Sequence, residues 1–413
     1  MDLNLLVNSF SGGGAEKQML ALLERLDYKK AFTLEKEAFP AGEPANHLAL
    51  SKHGPGASNL IKFLSLGSYA RVLSGNLSKN DLLISFMTRS NLVNVRASLK
   101  TGHFPVICER TNPSREFKNF RALLYRPLIR KNYPEAGMAV ANSEGVKHCL
   151  VSDFGLAPEK IKVINNHLDN EKISLKMKED PGELGKIFES PVLINSGRLT
   201  EAKAQWRLLK IFSCLKKVDP EPKLVILGDG ELKDYLTALS RALGLRTFDI
   251  TKDPPSEHYD VYFLGFQENP YKFLYRSRLF VFTSAWEGFP NALLEAMACR
   301  LPVISANCEY GPAEILGIKA AISDYADQKP RYSDFGILLP ALNGEKIRQA
   351  GENPDGTEKL WVDHIEAALG DHKIIRKYSE MSAVRALDFD IKKIALNWKI
   401  LAAEAGSVSN GAG

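Results

Sequence analysis

The sequence predicts an α/β protein with two parallel, doubly wound sheets, and three observations lead there. The chain has 413 residues, too many for one ordinary core and a fit for two domains of usual size. Apolar residues make up 45% and charged residues 25%, the proportions of a folded globular chain. A rhythm of short apolar strand, polar loop and amphipathic helix runs through the first half, fades, and then restarts.

Residues 3–7, 81–86, 104–108 and 137–141 are short apolar runs, the pattern of strands buried on both faces. Residues 12–14 form the first loop, and a helix over 15–26 carries Met19, Leu20, Leu22, Leu23 and Leu26 on one face. Around 168–186 the apolar signal gives way to a charged stretch, which predicts a linker over 171–190 between a first domain, 1–170, and a second, 191–370. In the second domain, strands at 192–196, 224–227, 262–264, 279–283 and 303–305 alternate with helices, one through Leu209 and Phe212 and one over 231–243. Segments 247–258 and 325–335 are polar and contain proline, so they predict surface insertions. Residues 371–413 predict helices that pack back towards the first domain, ending in an unstructured small-residue tail over 406–413. The result is two Rossmann-like domains facing across a cleft, with ligands expected at the carboxyl ends of the strands.

Composition excludes several classes of function. No apolar run has the length of a membrane-spanning helix, and the chain starts with a strand pattern instead of a cleavable leader, which predicts a cytoplasmic protein. Five scattered cysteines without a C-x-x-C pair read as reduced thiols, and eight histidines without ligand spacing predict no protein-held metal. The net charge of +5 is unevenly spread: residues 60–131 hold thirteen Lys or Arg against three acids. A basic first domain predicts an anionic partner for that domain. Base-stacking aromatics are not interleaved with these charges as in nucleic-acid modules, so nucleic acid is not the expected partner.

The most informative string runs from Trp286 to Met297, WEGFPNALLEAM, directly after a predicted strand. Pro290 suits the first position of a helix, whose N-terminus then offers the N–H groups of Asn291, Ala292 and Leu293 and the positive end of the dipole to a diphosphate. Glu287 in the loop and Glu295 in the helix can meet a sugar and ribose hydroxyls; alone, they would read as a loop residue and a solvated helix residue. Ser196-Gly197-Arg198-Leu199 and Lys203 follow another strand, where a guanidinium and an ammonium can clamp phosphates, or simply be surface charges. Ser11 to Lys17, SGGGAEK, is a glycine loop that matches neither G-x-G-x-x-G nor a Walker loop, which argues against a dinucleotide or ATP. Gly228-Asp229-Gly230-Glu231 is a turn that can equally well only cap the next helix. Glu109-Arg110-Thr111-Asn112-Pro113 and Asn142-Ser143-Glu144-Gly145 leave two strands of the first domain, and Ser143 reads as a helix cap.

The Trp286–Met297 string closely resembles the E-x7-E signature of glycosyltransferase family 4, the large retaining family with the GT-B fold. The resemblance continues through Leu264-Gly265-Phe266, Asn269-Pro270, Pro302-Val303-Ile304, Gly311-Pro312 and Glu314-Ile315-Leu316. Ser196 to Lys203 is similar to the family's G-R-L and following lysine, and Gly13, Gly14 and Glu16 lie in a stretch that looks like its G-G-A-E loop. Val163 to Asp169 resembles the segment that ends the family's first lobe. Arg300 departs from the pattern, because relatives usually carry glycine there, and Arg110 or Glu109 stands where many relatives have histidine.

The resemblance implies a retaining glycosyltransferase without cofactor or metal, in which Glu287, Arg198 and Lys203 are catalytic. It implies donor contacts from Glu295, Gly288, Phe289, Pro290, Asn291, Ala292, Leu293, Gly197, Gly228, Gly13 and Gly14. Acceptor or sugar contacts would come from Glu109, Arg110, Asn112 and Glu16. The expected donor is a nucleotide-sugar, with a UDP-sugar favoured, and the expected acceptor is a glycan or lipid-linked glycan of a surface polysaccharide. Residues 115–130 alternate Arg115, Lys118, Arg121, Arg126 and Arg130 with Phe and Leu, which suits an anionic membrane surface, a lipid diphosphate or plain solvent. An epimerase of the same fold and a non-catalytic nucleotide-sugar or glycan binder stay open as alternatives.

Overall fold

A run such as 81–86 is buried at every residue, which is possible only in a parallel sheet covered on both faces by helices. The computed structural model describes residues 1–10, 13–36, 46–117, 119–254, 256, 258–319, 328–347 and 353–411. By contacts the chain divides into unit 1, Met1–His167 with Ile391–Gly413, and unit 2, Leu168–Asp390.

Unit 1 runs β1 (Asp2–Val7), α1 (Gly14–Leu23), β2 (Lys30–Thr33), β3 (His47–Ala49), α2 (Asn59–Leu64), α3 (Leu66–Ser74), β4 (Asp81–Phe86) and α4 (Thr88–Thr101). It continues with β5 (Phe104–Glu109), α5 (Pro113–Glu116), α6 (Asn119–Asn132), β6 (Met138–Ala141), α7 (Glu144–Ser152) and β7 (Ile161–Val163). Among the described residues the sheet has the order β3-β2-β1-β4-β5-β6-β7, and every pair is parallel. The order reverses between β1 and β4, the switch point at which such sheets bind ligands.

Unit 2 runs α8 (Asn170–Lys176), β8 (Val192–Ser196), α9 (Gln205–Val218), β9 (Lys223–Leu227), α10 (Lys233–Ala242), β10 (Thr247–Asp249), β11 (Val261–Phe263) and α11 (Tyr271–Leu274). Then come β12 (Leu279–Phe282), α12 (Asn291–Ala298), β13 (Val303–Ala306), α13 (Pro312–Ile315), β14 (Arg331–Tyr332), β15 (Ile337–Leu339), α14 (Gly356–Gly370) and α15 (His372–Ala386). The described sheet has the order β10-β11-β9-β8-β12-β13-β15-β14, with only β14–β15 antiparallel. Strand alternation divides the core: Val281 joins Trp206 and Trp361 on one face, while Phe280 and Phe282 join Leu293 and Leu294 on the other. The switch point lies between β8 and β12. The last helix, α16 (Ile391–Gly411), belongs to unit 1 and buries Ile394, Trp398 and Leu401 in that core.

Several expectations change. The predicted linker 171–190 is part of unit 2: Ile173, Met177 and Ile187 are buried against its sheet, and only the small number of apolar residues made the stretch look unanchored. Of the terminal segment 371–413, α15 stays with unit 2 and only the part from Ile391 onward joins unit 1. The predicted unstructured tail from 406 is helical as far as Gly411. Residues 247–249 form β10, buried at every position, and 331–332 form β14, so neither polar segment is wholly an insertion. Ser11, Gly12, Lys118 and residues 325–327 and 412–413 lie outside the described residues.

Candidate active site

The chemistry-bearing side chains of unit 2 converge where the loops after β8, β9, β11 and β12 meet. Backbone bonds stitch these loops together: Gly197 N–H donates to Leu227 O at 2.9 Å, Leu199 N–H to Asp229 O at 2.9 Å, and Gly228 N–H to Gly265 O at 2.7 Å. Gly228 has φ +127°, and a Cβ there would fall 2.1 Å from Gly197 O, so only glycine permits this approach. Gly230 packs as closely, with a Cβ position 2.5 Å from Leu199 O. The turn 228–230 is therefore a fixed wall beside Arg198 as well as a lead into α10. Arg198 itself is exposed.

Lys203 ends a short turn whose Ala202 O accepts from Ala285 N–H at 2.8 Å, and Thr283 Oγ1 donates to Lys203 O at 3.3 Å. These bonds carry its side chain across to the loop after β12. There Lys203 Nζ meets Glu287 Oε1 at 2.5 Å, with side-chain exposures of 20% and 11%, and lies 5.4 Å from the centre of the Phe282 ring. Glu287 is held from below, since its N–H donates to Glu309 O at 2.6 Å. The predicted pieces thus come together, but Lys203 and Glu287 pair with each other, a contact that their separation in sequence does not reveal.

Beyond Glu287 the chain turns through Gly288, Phe289 and Pro290 into α12. Pro290 is the N-cap residue, with extended backbone, one position earlier than expected. Gly311 packs on this turn with φ +90°, and a Cβ there would lie 2.7 Å from Gly288 O and 2.8 Å from the Pro290 ring. Gly230 and Gly311 were not among the predicted site residues; the G-D-G and G-P strings carried the signal. An α-helix cannot satisfy its own first N–H groups, so the start of α12, at Asn291, Ala292 and Leu293, presents the positive end of its dipole beside Glu287 and Lys203. Glu295 is half-buried on α12, close enough to Tyr271 and Cys299 that its charge adds to the effect of burial in raising both their pKa values.

Unit 1 holds the remaining predicted residues. Gly13 is the N-cap of α1, extended at φ −101° and ψ 166°. Glu16 folds over it so closely that a Cβ on Gly13 would fall 1.9 Å from Glu16 Oε2, and Gly14 is exposed. Asn112 is buried and caps α5, accepting from Ser114 N–H at 3.0 Å. Ser143 caps α7 from Val146 N–H at 3.1 Å.

Glu109 and Arg110, proposed from sequence as sugar or acceptor contacts, are not at the surface: they are 0% and 7% exposed. Glu109 accepts from Asn91 Nδ2 at 3.0 Å, from Thr88 Oγ1 at 3.2 Å and from the Tyr133 hydroxyl. Burial and the neighbouring Glu116 carboxylate push its pKa up to about 8. Arg110 donates to Ile164 O at 3.2 Å and sits 5.1 and 5.6 Å from the Phe86 and Trp398 rings. Both therefore tie strand ends together inside the core of unit 1.

Comparison with known proteins places this arrangement. Residues 176–321, which hold every predicted donor residue of unit 2, match the family described as "Glycosyl transferases group 1". The chain is 37% identical over 305 residues to an uncharacterized glycosyltransferase of Methanocaldococcus jannaschii, covering 72% of this chain and 71% of that one. The chain belongs to this glycosyltransferase family. It is also 30% identical over 406 residues, 95% of this chain and 97% of the relative, to the N-acetylgalactosamine-N,N'-diacetylbacillosaminyl-diphospho-undecaprenol 4-alpha-N-acetylgalactosaminyltransferase of Campylobacter jejuni. Among solved structures, the Anabaena protein HepE in complex with UDP and glucose superposes with a TM-score of 0.71 at 18% identity, covering 98% of this chain and 99% of HepE. The fold of this glycosyltransferase is accordingly GT-B, built from two Rossmann-like units.

Proposed function

We propose that this enzyme is a retaining, family 4 glycosyltransferase that moves a hexose or N-acetylhexosamine from a nucleotide-diphosphate sugar, a UDP-sugar by preference, to a polyprenyl-diphosphate-linked glycan. Surface polysaccharide assembly is the process it would serve. The observation that carries the reading is the Lys203–Glu287 pair at 2.5 Å beside the start of α12. This pairing holds an ammonium in place before a donor arrives and spares a half-buried glutamate an unpaired charge. The names of the Campylobacter relative and of the UDP complexes of HepE support the acceptor and the base, respectively.

In this mechanism Arg198, Lys203 and the first N–H groups of α12 take the donor diphosphate, Glu295 the ribose and Glu287 the sugar. Gly197 and Gly228 let the phosphates approach the backbone. The bond from the anomeric carbon to the diphosphate oxygen breaks, and a bond to the acceptor oxygen forms on the same face. The departing phosphate oxygen takes the acceptor's proton. Stabilising negative charge on that leaving group is the main catalytic contribution. No metal is needed for it, since two side-chain cations and a helix dipole serve instead. Unit 1, with Glu16, takes the acceptor, at the inner face of a membrane.

The test is a panel of UDP-, GDP- and ADP-sugars with and without lipid-diphosphate-linked acceptors, with and without EDTA, following release of the nucleoside diphosphate and the anomeric configuration of the product. Acceptor-dependent release from one donor, unchanged by EDTA and with configuration kept, is the expected result. An inverted product would overturn retention, and release lost in EDTA would overturn metal independence.

A further inference from the structure

We infer that Arg207 and Asn343 are positioning residues for the transfer step, holding segment 340–347 behind the turn that carries Lys203. A guanidinium that water cannot reach must find protein acceptors for its N–H groups. Arg207 and Lys210 are buried on α9 with one carboxylate between them: Glu358 accepts from Arg207 Nη1 at 2.7 Å and from Lys210 Nζ at 2.9 Å. Glu358 is itself fixed by the capping box at the start of α14. The rest of the Arg207 fork points to segment 340–347. Its Nε donates to Asn343 O at 3.1 Å, and its Nη2 to Glu345 O at 3.1 Å and to Asn343 Oδ1. Trp206 Nε1 adds a bond to Glu345 O at 2.9 Å, Trp361 Nε1 one to Pro340 O at 3.0 Å, and the Tyr235 hydroxyl one to Ile347 O at 3.0 Å. A segment without helix or strand is in this way held in one conformation by side chains of α9, α10 and α14.

What lies in front of that segment decides its use. Leu342 is packed in the same core as Leu199, Ala204 and Trp206, with Ala285 against it. A Cβ on Gly344 would fall 3.9 Å from that of Ala285, and Lys346 pairs with Glu201 at 3.1 Å. Residues 201–204 and Ala285 belong to the two loops that bring Lys203 to Glu287. Ala204, the residue after Lys203, has φ +49°, a left-handed value that costs an L-residue energy and persists only where the surroundings over-determine it. Arg207 N–H donates to Ala204 O at 2.9 Å, so the residue whose side chain orders the segment also closes the strained turn. To hold α14 on α9, Glu358 with Arg207 and Lys210 would suffice. The acceptors supplied by Asn343 and Glu345 bring in the segment that backs the Lys203 turn.

The role of Lys203 rests on the proposed mechanism, so one readout avoids turnover altogether. Without donor or acceptor, reductive methylation of the full-length protein followed by peptide mass spectrometry should modify Lys203 about fivefold faster in Asn343→Ala than in the parent, the factor that one hydrogen bond is worth. Exposed Lys172 should keep its rate. In initial-rate assays Asn343→Ala and Arg207→Lys should each lower kcat about tenfold with little change in the donor's KM. Asn343→Asp, which keeps an acceptor for the guanidinium, should recover most of that loss. In a Lys203→Ala background, Asn343→Ala should lower kcat no further, because the group it positions is gone. A general loosening of the fold would instead lower both backgrounds alike, and the unfolding temperature with them. Asn343 is exposed, which keeps the test intact should Arg207→Lys unfold. Unaltered labelling of Lys203, or equal losses in the two backgrounds, would overturn the assignment. A Lys203→Ala enzyme as active as the parent would overturn the proposed role of Lys203 and leave the labelling result to decide the positioning.

Discussion

At the scale of residues, the pair Lys203–Glu287 does two things at once. It keeps a half-buried carboxylate satisfied while the site is unliganded, and it holds the ammonium where the leaving diphosphate is proposed to form. Removing a group that acts mainly on developing charge lowers turnover by about 10²–10³-fold. Lys203→Ala and Glu287→Gln are each expected to fall in that range in initial-rate assays, and the double variant to lose less than the product of the two, because the residues touch. Additive losses would show that they act separately. Glu109 belongs to a different problem. Its folded pKa of about 8 lies above the value of about 4.3 for a free glutamate, so the folded state holds the proton more tightly. The stability this contributes is complete below about pH 4 and is lost as pH rises towards about 8. Glu109→Gln has no proton to lose, so it should gain on the parent protein as pH rises from 5 to 8 in urea unfolding. An equal difference at both pH values would contradict the assignment.

At the scale of elements, α12 shows how a short segment positions chemistry. It is only eight residues long, and its buried side, Leu293, Leu294, Ala296 and Met297, fixes its axis against the sheet. That leaves its first turn to face the loop of Glu287. Two residues past its end at Ala298 stands Arg300, whose φ of +61° is a left-handed value that an L-residue with a side chain adopts at a cost. Ser379 Oγ donates to Arg300 O at 2.7 Å, a backbone contact that any residue keeps. Arg300→Gly should therefore stabilise unit 2 by about 0.5–1 kcal/mol, read as a small rise in unfolding temperature with kinetics unchanged. A drop would mean that the arginine side chain contributes more than its backbone costs.

At the scale of the whole molecule, the chain leaves unit 1 after His167 and returns to it at Ile391. Unit 1 is thus completed only by the last helix. Ile394, Trp398 and Leu401 are 5%, 0% and 2% exposed, and burying each such side chain is worth about 1.5–3 kcal/mol, together comparable to the roughly 5–15 kcal/mol that holds a domain folded. A chain ending at Asp390 should lose hydrogen-exchange protection throughout 1–167 while 168–390 keeps theirs. Protection retained in both would show that α16 is dispensable. The two sheets were legible in the sequence, because strands buried on both faces must be continuously apolar and runs such as 81–86 and 192–196 declare themselves. The residues of the candidate site were legible as well, because the loop after each strand carries its glycines, cations and acids within a few residues. The linker was misread because α8 and the turn at 182–189 are anchored by isolated residues such as Ile173 and Ile187, whose burial depends on a sheet that local pattern cannot see. The sequence by itself determined which chemistry lies at which strand end. Only the tertiary structure decided which of those ends become neighbours, joining Lys203 to Glu287 across 84 positions and drawing Glu109 and Arg110 into the core. Contact and burial are properties of the packed chain, and spacing along it does not contain them.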